Sequence, residues 1–413
     1  MENFQQWLQN STTDWSQPGH SLVRLASVHS GERGLVCNAD IRANSPILTI
    51  PLNDLRFILT PERCVSLLNS CGCFQNASLY LSNCLYAITL FVYHTRYPVF
   101  ASCPVALIWK PYIDILPTSY TDPVFILSKY NVLTKPFPND VKSGDLKAKL
   151  TDALRRLRDA WSNLSPLLNS THSNEPPLEF VWAWCCVNSR CVYCKFREDI
   201  NQLVRQSTKL IRVPPKAYRP SIVLKDCKQQ HFNVALIPVF DMINHDPNRI
   251  GKLEVDRHAS ILRFSTSSEL KSGEQVLFSY GSHDNLTLFV EYGFCIHDNP
   301  NDALYPSHMD LVHVLTDFGQ SQTPAHSRIL CATLTRLGLC APDCENESPI
   351  WPTVCISKDG LSYHLKLLLY SILRHAGLID PLNSLAFWMI CSRLTLTLSI
   401  RLSDRLSHCS LRR

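Results

Sequence analysis

No run of ~18 consecutive apolar residues occurs in the 413-residue chain, so the sequence offers no candidate for a membrane-spanning helix. The best apolar stretch, Leu365 to Leu378, is interrupted by Lys366, Arg374 and His375 and reads as one amphipathic helix. The opening MENFQQWLQNSTTDW lacks both a basic segment and an apolar core, so no secretory leader is expected. Charge is sparse: 18% of residues are charged and the formal net charge is +5. Bulk electrostatics therefore does not mark a nucleic-acid binder, and neither nucleic acid nor membrane is an expected partner. Internal repeats and low-complexity tracts are missing as well.

What is present suits a protein with real cores. At 413 residues and 45% apolar content the chain can form two or more domains. Without a secretion signal, its eighteen cysteines are expected as reduced thiols in the cytoplasm or nucleus. The glycosylation-like triplets at Asn10, Asn76 and Asn163 then carry no meaning. Cys71 and Cys73, and likewise Cys186, Cys191 and Cys194, have ligand-like gaps. The second group lies among Trp182, Trp184, Val187 and Tyr193, where cysteine acts as a small hydrophobe. No metal site is expected.

Along the chain, Phe4 to Leu8 starts a short helix that Pro18-Gly19 breaks. Short strands separated by turns follow, at Leu22 to Val28, Gly34 to Asn38 and Ile47 to Ile50. Thr60-Pro61-Glu62 is a helix start, with a capping threonine, proline at the first helical position and an acid beside it. Helical periodicity then runs through Leu79 to Tyr97, Leu146 to Leu168 and Phe180 to Tyr193. Trp109-Lys110-Pro111-Tyr112, continuing to Pro117, reads as a proline-bounded connector, and Thr171 to Pro177 as a surface loop.

The most informative stretch is Val239 to Phe294. It opens with PVFDMINHD, placing Asp241, Asn244, His245 and Asp246 just after the apolar run Val234 to Phe240. It closes with Gly273-Glu274, an alternating strand over Gln275 to Tyr280, then Gly281 and Tyr292-Gly293-Phe294. Buried polar groups cost a few kcal/mol unless paired, so such clusters beside an apolar strand have specific partners. The order of an NH pair, a G-E-x-strand-Y and a YGF resembles the C-terminal half of a SET domain. The match is to the Rubisco large-subunit methyltransferase-like branch of the protein-lysine methyltransferases that use S-adenosylmethionine. Gly31-Glu32-Arg33-Gly34, the WKPY segment and Ser189-Arg190 fit the same branch.

The resemblance implies an α+β fold. It is a split SET domain of short β-strands with a pseudoknot-like C-terminal end and a large helical insertion, followed by a helical C-terminal domain. The expected divisions are an N-terminal helix at 1–19, SET segments at 20–60 and 219–297, and the insertion at 61–218. A substrate-binding-like helical domain at 298–383 and a divergent tail at 384–413 complete them. The implied function is methylation of a protein lysine by S-adenosylmethionine, with a protein substrate as partner and the chain a monomer.

By resemblance Tyr280 is the catalytic tyrosine next to the transferring methyl. The implied cofactor cradle is Arg33, Gly34, Leu35, Arg190, Asn244, His245, Tyr280 and Phe294. In it the Asn244 amide and His245 imidazole hold the adenine, and Arg190 faces the cofactor's carboxylate. Asp241 and Tyr292 are implied on the substrate side. Methyl transfer to an amine needs alignment and a neutral nucleophile rather than a triad or a metal, and an apolar, tyrosine-lined tunnel favours the neutral amine. Three departures stand out. Asn44 occupies a common glycine position, Asp246 a common serine position, and Leu262 lies where relatives often carry a tyrosine. Two alternatives stay open: a histidine acceptor, and a SET fold that binds partners without turnover.

Overall fold

The computed structural model describes residues 4, 6–7, 22–28, 32–52, 57–70, 79–81, 83–98, 104–130, 144–168, 175–193, 222–224, 234–306 and 354–375. The chain divides into two compact units. The first comprises Met1–Asn131, Leu154–Ser282 and Glu291–Gly293; the second comprises Val132–Ala153, His283–Val290 and Phe294–Arg413. Gly31, Cys71, Cys73, Cys194, most of the N-terminal helix and loop 171–174 lie outside the described residues, as do most of 298–383 and the tail 384–413.

In the first unit, Val23–Ser27 (β1) and Arg33–Cys37 (β2), the latter buried over its last four residues, pair antiparallel from Val23↔Cys37 to Ser27↔Arg33. Before Pro46–Pro51 (β3), Asn44 takes φ 59°. That left-handed conformation is open to glycine and, at small cost, to asparagine, which explains the substitution noted in the sequence. The helix Pro61–Ser70 (α1) starts as expected, with the Arg63 amide donating to Thr60 Oγ1 at 3.2 Å.

The expected helix from Leu79 is corrected. Leu79–Leu81 is a strand (β4), and the helix begins only at Cys84–Arg96 (α2), where Asn83 caps it by accepting from the Leu85 amide at 2.9 Å. The connector around Trp109 is corrected too, because Pro104–Ile113 forms a helix (α3) with Pro111 inside it. Pro123–Lys129 (α4) is capped by Asp122, and Gly144–Leu164 (α5) and Leu178–Arg190 (α6) follow. Helix α2 packs against α1, α3 and α6, and α4 packs against α6.

Aromatic side chains fill this layer. Trp109, Tyr112, Phe57 and Phe91 are almost fully buried, and the Trp161 and Phe180 rings meet edge to face at 4.9 Å. The rest of the unit is β-rich: Val192–Tyr193 (β5), Ile222–Leu224 (β6), Val234–Ala235 (β7), Asn244–His245 (β8), Gly251–Asp256 (β9), Ile261–Thr266 (β10) and Leu277–Phe278 (β11). Strand β4 pairs parallel with β6, which explains the missed helix: three residues find their partner far along the chain. Strands β3, β10 and β9 form a sheet in that order, and Leu262 sits fully buried in it between Ile50 and Val255. The alternating strand expected over Gln275 to Tyr280 shortens to β11, preceded by a bridge between Gln275 and Val36.

In the second unit, Asp284 caps the helix Asn285–Tyr292 (α7) at the Thr287 amide and also accepts from Lys149 and the Tyr305 hydroxyl. These hydrogen bonds outweigh the upward push of burial and hold its carboxyl below the usual range. Ala303–Leu304 (β12), Ile356–Ser357 (β13) and Gly360–Leu361 (β14) pair antiparallel, and Tyr363–His375 (α8) buries Leu365, Leu368 and Leu369. Among the described residues, no helix is long and apolar enough to cross a membrane.

Candidate active site

The apolar run from Val234 carries the chain into a tight turn, Phe240–Met242, entered through Val239 at φ 73°. A β-branched residue in the left-handed region is strained by about 1–3 kcal/mol, and such strain concentrates at functional sites. The turn delivers Asp241 inward and leads into β8, which pairs parallel with β11, placing Asn244 beside Leu277 and His245 beside Phe278. Strand β2 is stitched to the same segment, since the Val276 amide donates to the Leu35 carbonyl and the Cys37 amide to the Glu274 carbonyl, both at 2.8 Å. Three segments distant in sequence thus share one seam.

Two polar side chains close it. Asn244 Nδ2 donates to the Arg33 carbonyl at 3.1 Å, and the Tyr280 amide donates to His245 Nδ1 at 3.0 Å. The neutral imidazole therefore carries its hydrogen on Nε2. Asn244 Nδ2 and His245 Nδ1 thus serve backbone groups that a buried seam could not leave unpaired. Gly34 fits the seam for a steric reason. A Cβ there would lie 2.5 Å from Gln275 Nε2 and 3.0 Å from Asn244 Nδ2. Leu35, implied in the cofactor cradle, is 1% exposed, so its side chain lies in the core.

Tyr280 stands at the centre. Its hydroxyl donates to the Ile243 carbonyl at 2.7 Å, and its ring lies 4.9 Å from His245, 5.3 Å from Phe278 and 5.3 Å from Tyr292. Burial is the main cause that raises its ionisation well above the ordinary phenol value. Tyr292 is pushed up to about 12 by burial and then by Glu291. Both hydroxyls are therefore neutral dipoles at neutral pH, not bases. Gly293 follows at φ 82°, and a Cβ there would meet the Asp122 amide nitrogen and Thr121 Oγ1 at 2.5 Å. Phe294, expected near the adenine, belongs to the second unit, where its amide points to the Leu288 carbonyl.

The charged part of the site is a pair. Arg190, the last residue of α6, donates through one terminal nitrogen to the Asp241 carbonyl and to Asp241 Oδ2, both at 3.0 Å. The Tyr112 hydroxyl donates to the same Oδ2 at 2.8 Å. The Asp241 side chain is 0% exposed, which raises its carboxyl, while Arg190 and Tyr112 pull it back. Burial also lowers the ionisation of Arg33, and the like charge of Arg190 adds to it. Asp241, expected on the substrate side, thus has Oδ2 engaged by Tyr112 and Arg190. Buried nearby without a hydrogen-bond partner are Arg190 Nε, Asp241 Oδ1, Gln275 Nε2 and the hydroxyl of Tyr120, which lies close to Arg190.

Sequence reasoning missed Tyr112, whose signal was the WKPY segment, and Gln275, the variable position of G-E-x. Among the described residues no group of three potential metal ligands forms, and burial raises the thiols of Cys64, Cys185, Cys186 and Cys191.

No protein-family model matches the chain. The chain is 30% identical over 211 residues to human SET domain-containing protein 4, a match covering 50% of this chain and 42% of that protein. It is 28% identical over 125 residues to ribosomal lysine N-methyltransferase set11 of Schizosaccharomyces pombe, covering 30% of this chain and 25% of the relative. The chain spans less than half the length of the curated relatives it matches. Among solved structures, the SET domain of LSMT bound to lysine and AdoHcy matches with a TM-score of 0.53, over 96% of this chain and 75% of that one, at 17% identity. The chain therefore has the fold of the LSMT SET domain and, across half its length, a sequence similar to SET domain-containing protein 4.

Proposed function

We propose that this chain methylates the side-chain amine of a protein lysine, using S-adenosylmethionine. The observation that carries this reading is the buried Tyr280 hydroxyl, ringed by His245, Phe278 and Tyr292 and set beside the Arg190–Asp241 pair. The cofactor's amino-acid end presents an ammonium and a carboxylate. The site holds one partnerless carboxylate oxygen, Asp241 Oδ1, and one partnerless guanidinium nitrogen, Arg190 Nε, which complement those groups. The residues present thus fit the group.

In this reading Arg33, Gly34 and the backbone of the β8 seam line the cofactor side, and Arg190 faces its carboxylate. When bound, the cofactor supplies a methyl group on a sulfonium. The protein's part is to exclude water and to align. The Tyr280 and Tyr292 rings desolvate an entering lysine and favour its neutral, nucleophilic form. The Tyr280 hydroxyl oxygen and the Ile243 carbonyl offer acceptors for weak C–H···O contacts, worth ~0.5–1 kcal/mol each. The helices between 61 and 218 are read as the insertion of this branch, and 298–383 as its substrate-binding domain. A histidine acceptor is the alternative carried by the same fold.

The test is transfer of labelled methyl to a peptide panel with lysine or histidine at one position, with Tyr280→Phe as control. Labelling of lysine peptides by the native chain alone is expected. Labelling confined to histidine would replace the lysine reading, and a chain that binds the cofactor yet labels nothing would sink the enzyme reading.

A further inference from the structure

The WKPY segment has no part in the proposed chemistry, yet its tyrosine reaches the site from the helical layer. Tyr112 is 0% exposed, packed among Trp7, Trp109 and Phe4, and its hydroxyl ends on Asp241 Oδ2 at 2.8 Å. We infer that Tyr112 is a positioning residue that keeps Arg190 available to an anionic ligand by holding the Asp241 carboxylate in place. The inference rests on the cofactor reading above and deepens it.

The physical argument starts from what arginine and aspartate do when unconstrained. They close into a two-pronged pair, with two parallel N–H···O bonds, because this doubles the charge-assisted contact. Here they do not. Arg190 meets Asp241 through a single terminal nitrogen, which it shares between Oδ2 and the backbone carbonyl. Arg190 Nε and Asp241 Oδ1 remain buried and partnerless, although each is the natural complement of the other. Leaving two such atoms unpaired is costly, so something must hold the carboxylate off. The Tyr112 hydroxyl fixes Oδ2 from the opposite element, and its ring is locked by the aromatic packing around it. The pair is thereby kept open by one edge, and that edge is what a carboxylate-bearing ligand would use. Without the hydroxyl, Asp241 turns to pair with Arg190 on both prongs and the open edge is lost.

Two probes read this directly by calorimetry. S-adenosylhomocysteine carries the amino-acid end, and 5′-methylthioadenosine lacks it. Tyr112→Phe removes one oxygen and keeps the ring. It should weaken S-adenosylhomocysteine roughly tenfold, the size of one lost hydrogen bond near a charge, and leave 5′-methylthioadenosine within about twofold. The second ligand also reports that the variant is folded. A second measurement on the native chain keeps the test if Tyr112→Phe does not fold: in a crystal structure with S-adenosylhomocysteine the Tyr112 hydroxyl should stay on Asp241 Oδ2 with the ligand carboxylate on Arg190, and a two-pronged Arg190–Asp241 pair there overturns the inference. Equal weakening of both ligands, or no change in either, overturns the inference while the cofactor reading stands. A native chain that binds neither ligand overturns the cofactor reading, and the inference with it.

Discussion

Two layers of the first unit solve opposite problems with the same aromatic vocabulary. In the helical layer, Phe91 meets Trp109 and Trp161 meets Phe180 edge to face, all four almost fully buried, with few polar side chains such as Thr89 among them. In the β8–β11 seam, Phe278, Tyr280 and Tyr292 are packed as closely but stand beside strained Val239 and the partnerless atoms of Arg190, Asp241 and Gln275. The first layer maximises burial, worth about 1.5–3 kcal/mol for each large side chain. The second tolerates strain and unpaired polarity, which is the usual cost of a preorganised site.

This contrast can be broken by substitution. Trp161→Ala, in the helical layer, should lower stability by about 3–5 kcal/mol, read as a shift of the urea midpoint. A loss below ~1 kcal/mol would mean the layer is not the stabilising one. Gly293→Ala forces a left-handed alanine against Asp122 and Thr121 and should cost about 2–4 kcal/mol. A crystal structure of that variant should show the 121–122 backbone displaced. Asn244→Ala leaves the Arg33 carbonyl without its donor and should cost about 1–3 kcal/mol, with faster amide exchange in β2 as the local sign. Tyr280→Phe should change stability least, by about 1 kcal/mol for the bond to Ile243, yet lower methyl transfer by at least ~100-fold. If stability and turnover instead fell together in that variant, the division between the two layers would fail.

The sequence made local features legible and long-range ones illegible. The Thr60 cap, the short strands at Val23 to Pro51 and the helices over Gly144–Leu164 and Leu178–Arg190 follow from neighbours a few residues apart. Leu79–Leu81 did not, because its strand character comes from pairing with Ile222–Leu224. Pro111 masked a helix, since tertiary packing overrides its local preference. The motif order grouped Tyr280, Asn244, His245 and Arg190, and the fold brings Tyr280 against His245 and Arg190 against Asp241. The contacts themselves were not legible. That His245 serves the Tyr280 backbone, and that Asp241 answers to Tyr112 across 129 residues, are facts of the folded chain alone.

The seam also sets an order of events. Asn244 reaches a carbonyl 211 residues earlier, and its strand pairs with residues that come more than thirty positions later. Such closures are slow, because the entropy of the intervening chain must be lost before any contact rewards it. Individual helices α1 to α6 are specified by neighbours a few residues away, although α6 packs against α2 and α4 from far along the chain. Without Gly293 set against Asp122, the polypeptide would keep its helices but not the Tyr280–Tyr292 arrangement on which the activity proposed here depends.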